Sequence, residues 1–343
     1  MELARVTGSR AFERFTGPQI AKIKQSSPES WSNTARISLI SSFTASLLAG
    51  DIAPVDVGDA SGTNLFDIQG CCWSDELCES IDSSLVRKLG PRVCKTNQIV
   101  GRLSSYYAER YGINPNCSIV AFTGDNLSAF DAIQTLMQSN TAVNADSVAV
   151  VSLGTSDTVL FPLHKYPYTS QSNDQANECP EGHVLRHPAR DSGYMSMLCY
   201  KNGSLAREWV RDRVAENKSW PEFDQLAGTG SLAPQAFGFY YLSMEIQPRV
   251  QGIYRFEQSP GGNILVPASG KRYAAVKTFS QGQTADARAI VESQLMGMLV
   301  DYRHKSPGQP LSAVVVTGGA SENIVLRQAI ADILGVQVYV INS

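Results

Sequence analysis

SAVVVTGGASENIVLRQAIADILGVQVYVIN, residues 312–342, is the stretch on which the fold turns. An apolar strand, SAVVVT, runs into Gly318 and Gly319. NIVLRQAIADILG then shows the spacing of an amphipathic helix and closes at Gly335, and VQVYVIN returns to strand texture. Strand, Gly-Gly turn, helix and strand make a βαβ unit, so the second half of the chain reads as an α/β domain. Upstream, SVAVVSLGTSDTVLF (147–161) reads as two strands joined by a turn at Gly154 and Thr155. MQSNTAVNAD, near residue 140, is small and polar, as a linker or loop would be. Residues 255–285 mix Gly, Pro and basic residues without a period, and are expected to be loop-rich with one strand.

The first half reads as shorter pieces. ISLISSFTASLL, between Arg36 and Leu48, has helical spacing with a small second face. VDVGDASGTNLFDI (55–68) reads as a loop with a short strand or turn. WSDELCESIDSSLVRKLG (73–90) reads as one helix, capped by Ser74 and ending at Gly90 before Pro91. GRLSSYYAERYGI (101–113) reads as another, closing on Gly112. The apolar run Ile119–Phe122 reads as a strand with Asp125 and Asn126 at its tip, and LSAFDAIQTLMQ follows as a helix.

Composition narrows the class. At 343 residues the chain has room for two domains, and 43% hydrophobic with 18% charged residues is the composition of a folded chain. A net charge of −3 argues against a nucleic-acid partner held by a basic face. The opening MELARVTGSRAFERF lacks the apolar run of a secretory signal, and LISSFTASLLAG (39–50) is too short to cross a bilayer, so no membrane and a cytoplasmic location are expected. The seven cysteines (71, 72, 78, 94, 117, 179 and 199) form no CxxC pair and have no nearby histidine, so they read as free thiols and no metal site is assigned.

Several motifs carry chemistry, and each has an ordinary reading beside it. The turn at Gly318 and Gly319 opens a helix, where backbone amides can approach a phosphate, or it is only a tight strand-to-helix turn. Neither GxGxxG nor GxxxxGK[ST] occurs. Gly154, Thr155, Ser156 and Thr158 offer amides and hydroxyls to phosphate oxygens, or ordinary hairpin chemistry. Gly124-Asp125-Asn126 is a turn, or a general base with an amide beside it. Arg10 and Arg14 fall four apart, on one helical face beside Glu13, as a solvated ion pair would. His183 and His187 are also four apart, but Pro188 follows and no HExxH glutamate is present.

TGSRAFERFTGPQIAKI, RISLISSFTASLLAG, VAFTGDNLSAF, VVSLGTSDTVLF, GHVLRHP with CYKNGSLAREWVRD, and the stretch from Val314 to Ile341 run in an order that resembles the FGGY family of carbohydrate kinases. The TGSRAFERFTG stretch and GDN resemble the eukaryotic branch acting on D-xylulose. The resemblance implies two ribonuclease H-like (actin-like ATPase) α/β domains with an interdomain cleft, residues 1–142 belonging to the sugar-binding domain and 143–343 to the nucleotide-binding domain. It implies ATP, Mg²⁺ and D-xylulose as reactants, and a monomer or homodimer. Asp125 resembles the family's general base, and Arg14 and Asn126 its sugar ligands. Gly318, Gly319, Ala320 and Asn323 resemble adenosine contacts with Trp220 beside them, and Gly154, Thr155 and Ser156 a phosphate loop. The chain departs from the family in lacking an Asp-x-Gly/Ser-Thr phosphate loop and a histidine sugar ligand before TGSRAFERF, and the small-residue helix after VINS. Thr63 stands where this branch often has Met. An incomplete first domain, and a chain inactive alone, are therefore expected. A non-catalytic fragment that binds sugar or nucleotide weakly, and a kinase for ribulose or glycerol, are the alternatives.

Overall fold

A computed structural model describes residues 2–140, 143–168, 182–190, 192–266 and 270–341. It is mixed α/β and falls into two compact units, Met1–Thr141 with Pro162–Met197, and Ala142–Phe161 with Leu198–Ser343. Each half of the sequence thus lends a segment to the other unit. Cys179, and Thr141 and Ala142 of the expected linker, lie outside the described residues.

The second unit is built on the strand Ala313–Thr317. It pairs in parallel with Val148–Leu153 on one edge and Gln337–Val340 on the other. Val148–Val151 and Ala313–Val316 are each no more than 2% exposed. Burial on both faces explains why these segments read as unbroken apolar runs without alternation. Val148–Leu153 turns back antiparallel on Asp157–Leu163, with Leu153 opposite Asp157, as the hairpin reading expected. The helix Ile324–Leu334 completes the βαβ unit. Asn323 caps it by accepting from the Leu326 amide at 3.0 Å, and Gly335 ends it at φ +70°.

Two features of this unit are not legible in the sequence. Residues 255–285, expected to be loop-rich with one strand, hold all or part of three strands of a four-stranded antiparallel sheet, whose order is Ala236–Tyr241, Gly252–Gln258, Lys271–Val276 and Ile264–Val266. Gly252–Gln258 is partly exposed along its whole length, so it shows no buried-exposed alternation. The helix Ala285–Lys305 is 21 residues long, and all of residues 285–292 are buried, including Asp286, Arg288 and Glu292. A helix covered on every side has no apolar stripe to read. Its charges are satisfied internally. Arg255 donates to Asp286 at 2.6 and 2.9 Å, with the Tyr240 hydroxyl on the same carboxylate. Arg288 donates to Glu292 at 2.8 Å, and Glu292 also accepts the Leu232 and Ala233 amides.

The first unit is made of short elements. The helix expected from Arg36 begins at Ile40 and runs to Ala49, because residues 36–39 stay extended and the Leu39 amide donates to Ser42 Oγ. Residues 73–90 form two helices, Asp75–Ile81 and Leu85–Leu89, rather than one. Asp82 breaks them: its Oδ1 accepts the Ser84 amide and hydroxyl at 2.8 and 2.6 Å, and its Oδ2 lies 2.9 Å from Lys24 Nζ. Residues 101–113 contribute a strand end, Ile99–Arg102, and a helix, Ser105–Tyr111, closed by Gly112 at φ +65°. Arg10 and Arg14 share no helix, since Glu2–Thr7 and Thr16–Ser26 are separate helices and the chain between them is a loop. The helix Asp125–Asn140 runs into what read as a linker.

Residues 55–68, expected as a loop with a short strand or turn, contain the short strands Val55–Asp56 and Phe66–Asp67 and also the helix Val57–Ser61. Its cap is Asp56, a fully buried carboxylate that accepts the Gly58 amide at 3.0 Å, the Asp59 amide at 3.2 Å and the Thr96 hydroxyl at 2.6 Å. Burial pushes the Asp56 carboxyl up to about 6, against the Thr96 bond, with Asp59 adding to the rise. The sign follows directly. Between about pH 4 and 6 the folded protein keeps a proton that the unfolded chain has lost, so stability falls as pH rises through that window. A shift of this size corresponds to something on the order of 3 kcal/mol. Urea unfolding at pH 4.5, 5.5 and 6.5 should show Asp56→Asn losing less stability across the window than the parent; equal losses would contradict the assignment.

Candidate functional site

The strand Ser118–Val120 pairs with Ile99–Arg102 and goes no further than Val120. Ala121 to Gly124 form an irregular link, and Asp125 opens the helix Asp125–Asn140. The carboxylate therefore stands at a helix N-terminus and not at a strand tip, a position where the helix dipole favours negative charge. Asp125 is exposed, and its Oδ1 accepts the Asn126 backbone amide at 2.7 Å and Asn126 Nδ2 at 3.3 Å. Asp125 and Asn126 are thus held together.

Asp125 lines an open cavity of about 630 Å³ within the first unit, with Ser41, Asp59, Thr96, Thr123 and Ser128 among its polar walls. Asp59 was not singled out from sequence. Burial raises its carboxyl, the Ser41 hydroxyl and the Gly124 amide oppose the rise, and the charge on Asp125 adds to it. Its signal was its place three residues after the cap Asp56 in VDVGDASGT, a stretch that reads as a loop with a short strand or turn. A Cβ on Gly124 would lie 2.7 Å from Asp59 Oδ1, so the link before Asp125 needs glycine to pass this carboxylate.

Arg14 sits in the turn between the helices Glu2–Thr7 and Thr16–Ser26. It is exposed and makes no hydrogen bond or ion pair among the described residues, so the expected pair with Glu13 does not form. Arg14 is not among the residues lining the Asp125 cavity.

The remaining candidates gather in the second unit. Val148–Leu153 and Ala313–Thr317 are parallel neighbours in register, Ser152 opposite Thr317, so the turns that follow them lie side by side. Leu153 O accepts the Ala320 amide at 3.4 Å. Gly318 has φ +86°, and a Cβ there would stand 2.5 Å from Leu153 O, whereas one on Gly319 would meet open space. Gly318 is thus a packing glycine, and Gly319 leaves room for a ligand to approach the backbone. The Gly154–Ser156 turn is fixed from below. The Gly154 amide donates to Asp157 Oδ1 at 3.1 Å, and Gly154 O accepts the Ser204 amide at 2.9 Å. Asp157 is buried against Arg207, at 2.8 and 3.1 Å.

Asn323 links these turns to Trp220. Its Nδ2 donates to Asp224 Oδ1 at 2.8 Å, and Asp224 lies one turn beyond Trp220 on the helix Trp220–Ala227. Trp220 is 36% exposed, with the Arg211 guanidinium 4.4 Å from its ring centroid and the Phe223 ring edge-on at 5.4 Å. A half-open indole can stack on a flat heterocycle.

No group of three or more His, Cys, Asp or Glu that could hold a metal ion occurs among the described residues. Cys71, Cys72, Cys78, Cys94, Cys117 and Cys199 are free, and burial first pushes Cys78 up to about 12 and Cys94 and Cys199 to about 11. His183 and His187 pack on aromatic rings, His183 on Phe12 and Phe15, His187 on Phe130.

Comparison with known proteins identifies the family. Residues 2–130 match the N-terminal domain, and residues 149–343 the C-terminal domain, of the FGGY family of carbohydrate kinases. The chain is 38% identical over 347 residues to a xylulose kinase of Rattus norvegicus, covering 99% of this chain and 57% of that protein. It is also 38% identical over 346 residues to xylulose kinase 2 of Arabidopsis thaliana, again covering 99% and 57%. Among solved structures, a xyloylose kinase from Brucella ovis superposes with a TM-score of 0.77 at 19% identity, covering all of this chain and 63% of that one. The chain therefore spans little more than half the length of the curated relatives it matches. Two matched domain models in family order, together covering most of the sequence, place this chain in the FGGY family of carbohydrate kinases.

Proposed function

We propose that the protein phosphorylates D-xylulose, using ATP and giving D-xylulose 5-phosphate and ADP. The observation that carries this reading is Asp125, an exposed carboxylate at a helix N-terminus in a polar cavity, in a chain 38% identical to xylulose kinases over 99% of its length. In the proposed reaction Asp125 takes the proton of the reacting sugar hydroxyl. The oxygen attacks the γ-phosphorus, its bond to the β–γ bridging oxygen breaks, and ADP leaves with those electrons. Asn126 and Arg14 hold other sugar oxygens, the guanidinium as a charge-assisted donor fork. The unit Met1–Thr141 with Pro162–Met197 then serves the sugar, and the unit Ala142–Phe161 with Leu198–Ser343 the nucleotide, which shifts the expected division at residue 142.

On the nucleotide side, Gly154, Thr155 and Ser156 offer amides and hydroxyls to phosphate oxygens, while Gly318, Gly319, Ala320, Asn323 and Trp220 border the adenosine. Mg²⁺ enters with ATP and neutralises phosphate charge, held chiefly by phosphate oxygens and water. No helix among the described residues is long and apolar enough to cross a membrane.

Three substitutions in the whole protein test this assignment. Asp125→Asn removes the base with little change of shape and should lower kcat by about 10²–10⁴. Turnover near the parent's would remove Asp125 from the mechanism. Arg14→Ala should raise KM for D-xylulose and leave KM for ATP within about twofold, since its fork contacts only the sugar. Unchanged sugar kinetics would leave Arg14 a solvated surface charge. Gly318→Ala forces a Cβ against Leu153 O at positive φ, a strain of about 1–3 kcal/mol that is relieved by moving the turn. KM for ATP should rise about tenfold, the equivalent of about 1.4 kcal/mol, with sugar KM unchanged. An unaltered ATP KM would take this turn out of the nucleotide site.

A further inference from the structure

The loop that carries Arg14 is gripped from two distant segments. The first grip is Asn64, which is 4% exposed and adopts φ +59°, a left-handed conformation that Asn tolerates better than most residues. Its Nδ2 faces three acceptors, Thr7 Oγ1 at 3.2 Å, Ser9 O at 3.3 Å and Arg10 O at 3.2 Å. Its Oδ1 accepts the Phe12 amide at 3.3 Å. Every one of these contacts falls on residues 7–12.

The second grip is the strand His183–Arg186. Val184 donates its amide to Gly8 O at 2.9 Å, and a Cβ on Gly8 would stand 2.2 Å from Val184 O. His183 Nδ1 lies 3.1 Å from Ser9 Oγ. The His183 ring meets Phe12 edge-on at 5.5 Å and lies tilted against Phe15 at 4.8 Å. Phe12 and Phe15 flank Glu13 and Arg14 in the sequence. The inward residues on both sides of Arg14 are therefore fixed, while Arg14 itself is exposed and unpaired among the described residues.

A solvated arginine needs no such support. Holding a loop in place before a ligand arrives lowers the ordering cost of binding, and a planar guanidinium fork gains most from it because its donors have fixed directions. We propose that Asn64, backed by His183, is a positioning residue for sugar binding, fixing the loop from Gly8 to Phe15 so that Arg14 is presented ready for the sugar oxygens. This rests on the reading of Arg14 as a sugar ligand.

Asn64→Gly tests it in the whole protein, because glycine keeps the positive φ and removes only the amide. KM for D-xylulose should rise about tenfold, with kcat and KM for ATP within about twofold of the parent, and the Phe12 amide should exchange its hydrogen faster. His183→Phe retains a ring against Phe12 and Phe15 and should raise the sugar KM less than His183→Ala. That pair decides the matter if Asn64→Gly does not fold. The proposal is overturned if sugar KM is unchanged in Asn64→Gly and His183→Ala, or if kcat and both KM values worsen together, as general destabilisation would make them. Arg14→Ala, run in parallel, separates the two readings. If it raises the sugar KM while Asn64→Gly does not, only the positioning role falls; if it leaves the sugar KM unchanged, both fall.

Discussion

In the second unit, everything assigned to the nucleotide depends on one pairing. Val148–Leu153 lies parallel to Ala313–Thr317, in register from Val148 opposite Ala313 to Ser152 opposite Thr317. Segments far apart in sequence are locked by backbone bonds between strands buried on both faces. A slip of one residue would turn each side chain to the opposite face and separate the turns that follow. Because the register holds, Leu153 O meets both the Ala320 amide and the α-carbon side of Gly318. The glycine at 318 follows from that contact, and the open backbone at Gly319 follows from the turn it permits. The buried pair Asp157–Arg207 performs the matching task beneath the Gly154–Ser156 turn.

The first unit solves a different problem, which is to keep carboxylates close without losing their chemistry. Asp56 and Asp59 both have raised carboxyls, chiefly through burial, and Asp59 also feels Asp125. Asp125 is the exposed member, at a helix start, with its Oδ1 on the Asn126 amide. The row runs from a buried cap, Asp56, which holds the helix Val57–Ser61, through Asp59 beside Gly124, to the exposed Asp125. On a separate loop, Arg14 is exposed, while its neighbours Phe12 and Phe15 contact Asn64 and His183.

Much of the second unit was legible in the sequence. The βαβ unit, the hairpin at Gly154 and the helix end at Gly335 are local features, in which turn residues and apolar period agree; the cap at Asn323 emerges only in the structure. What escaped has physical reasons. Ala285–Lys305 is buried around its whole first half, so its Asp, Arg and Glu broke the pattern of a core helix while pairing inside it. The strands between 252 and 276 are half-exposed and mimic loop. Arg10 and Arg14 have helical spacing, but Gly8 at φ +79° and the reach of Asn64 hold that segment as a loop. Long-range contacts of this kind, such as those from Asn64 and Val184 to the segment after Thr7, leave no trace in a local window. Asp125 was visible as an acid after an apolar run, but its place at a helix start, beside Asp59, appears only once Ser118–Val120 is seen to end early.

The central claim is transfer of a phosphoryl group from ATP to D-xylulose, and product analysis addresses it most directly. The whole protein is incubated with ATP, Mg²⁺ and D-xylulose, with D-ribulose and glycerol in parallel, and the products are followed by phosphorus NMR. The account predicts one new phosphomonoester signal, that of D-xylulose 5-phosphate, growing in step with ADP and strongest with D-xylulose. ADP release that does not depend on sugar, or a phosphomonoester that forms more readily from D-ribulose or glycerol, would contradict it.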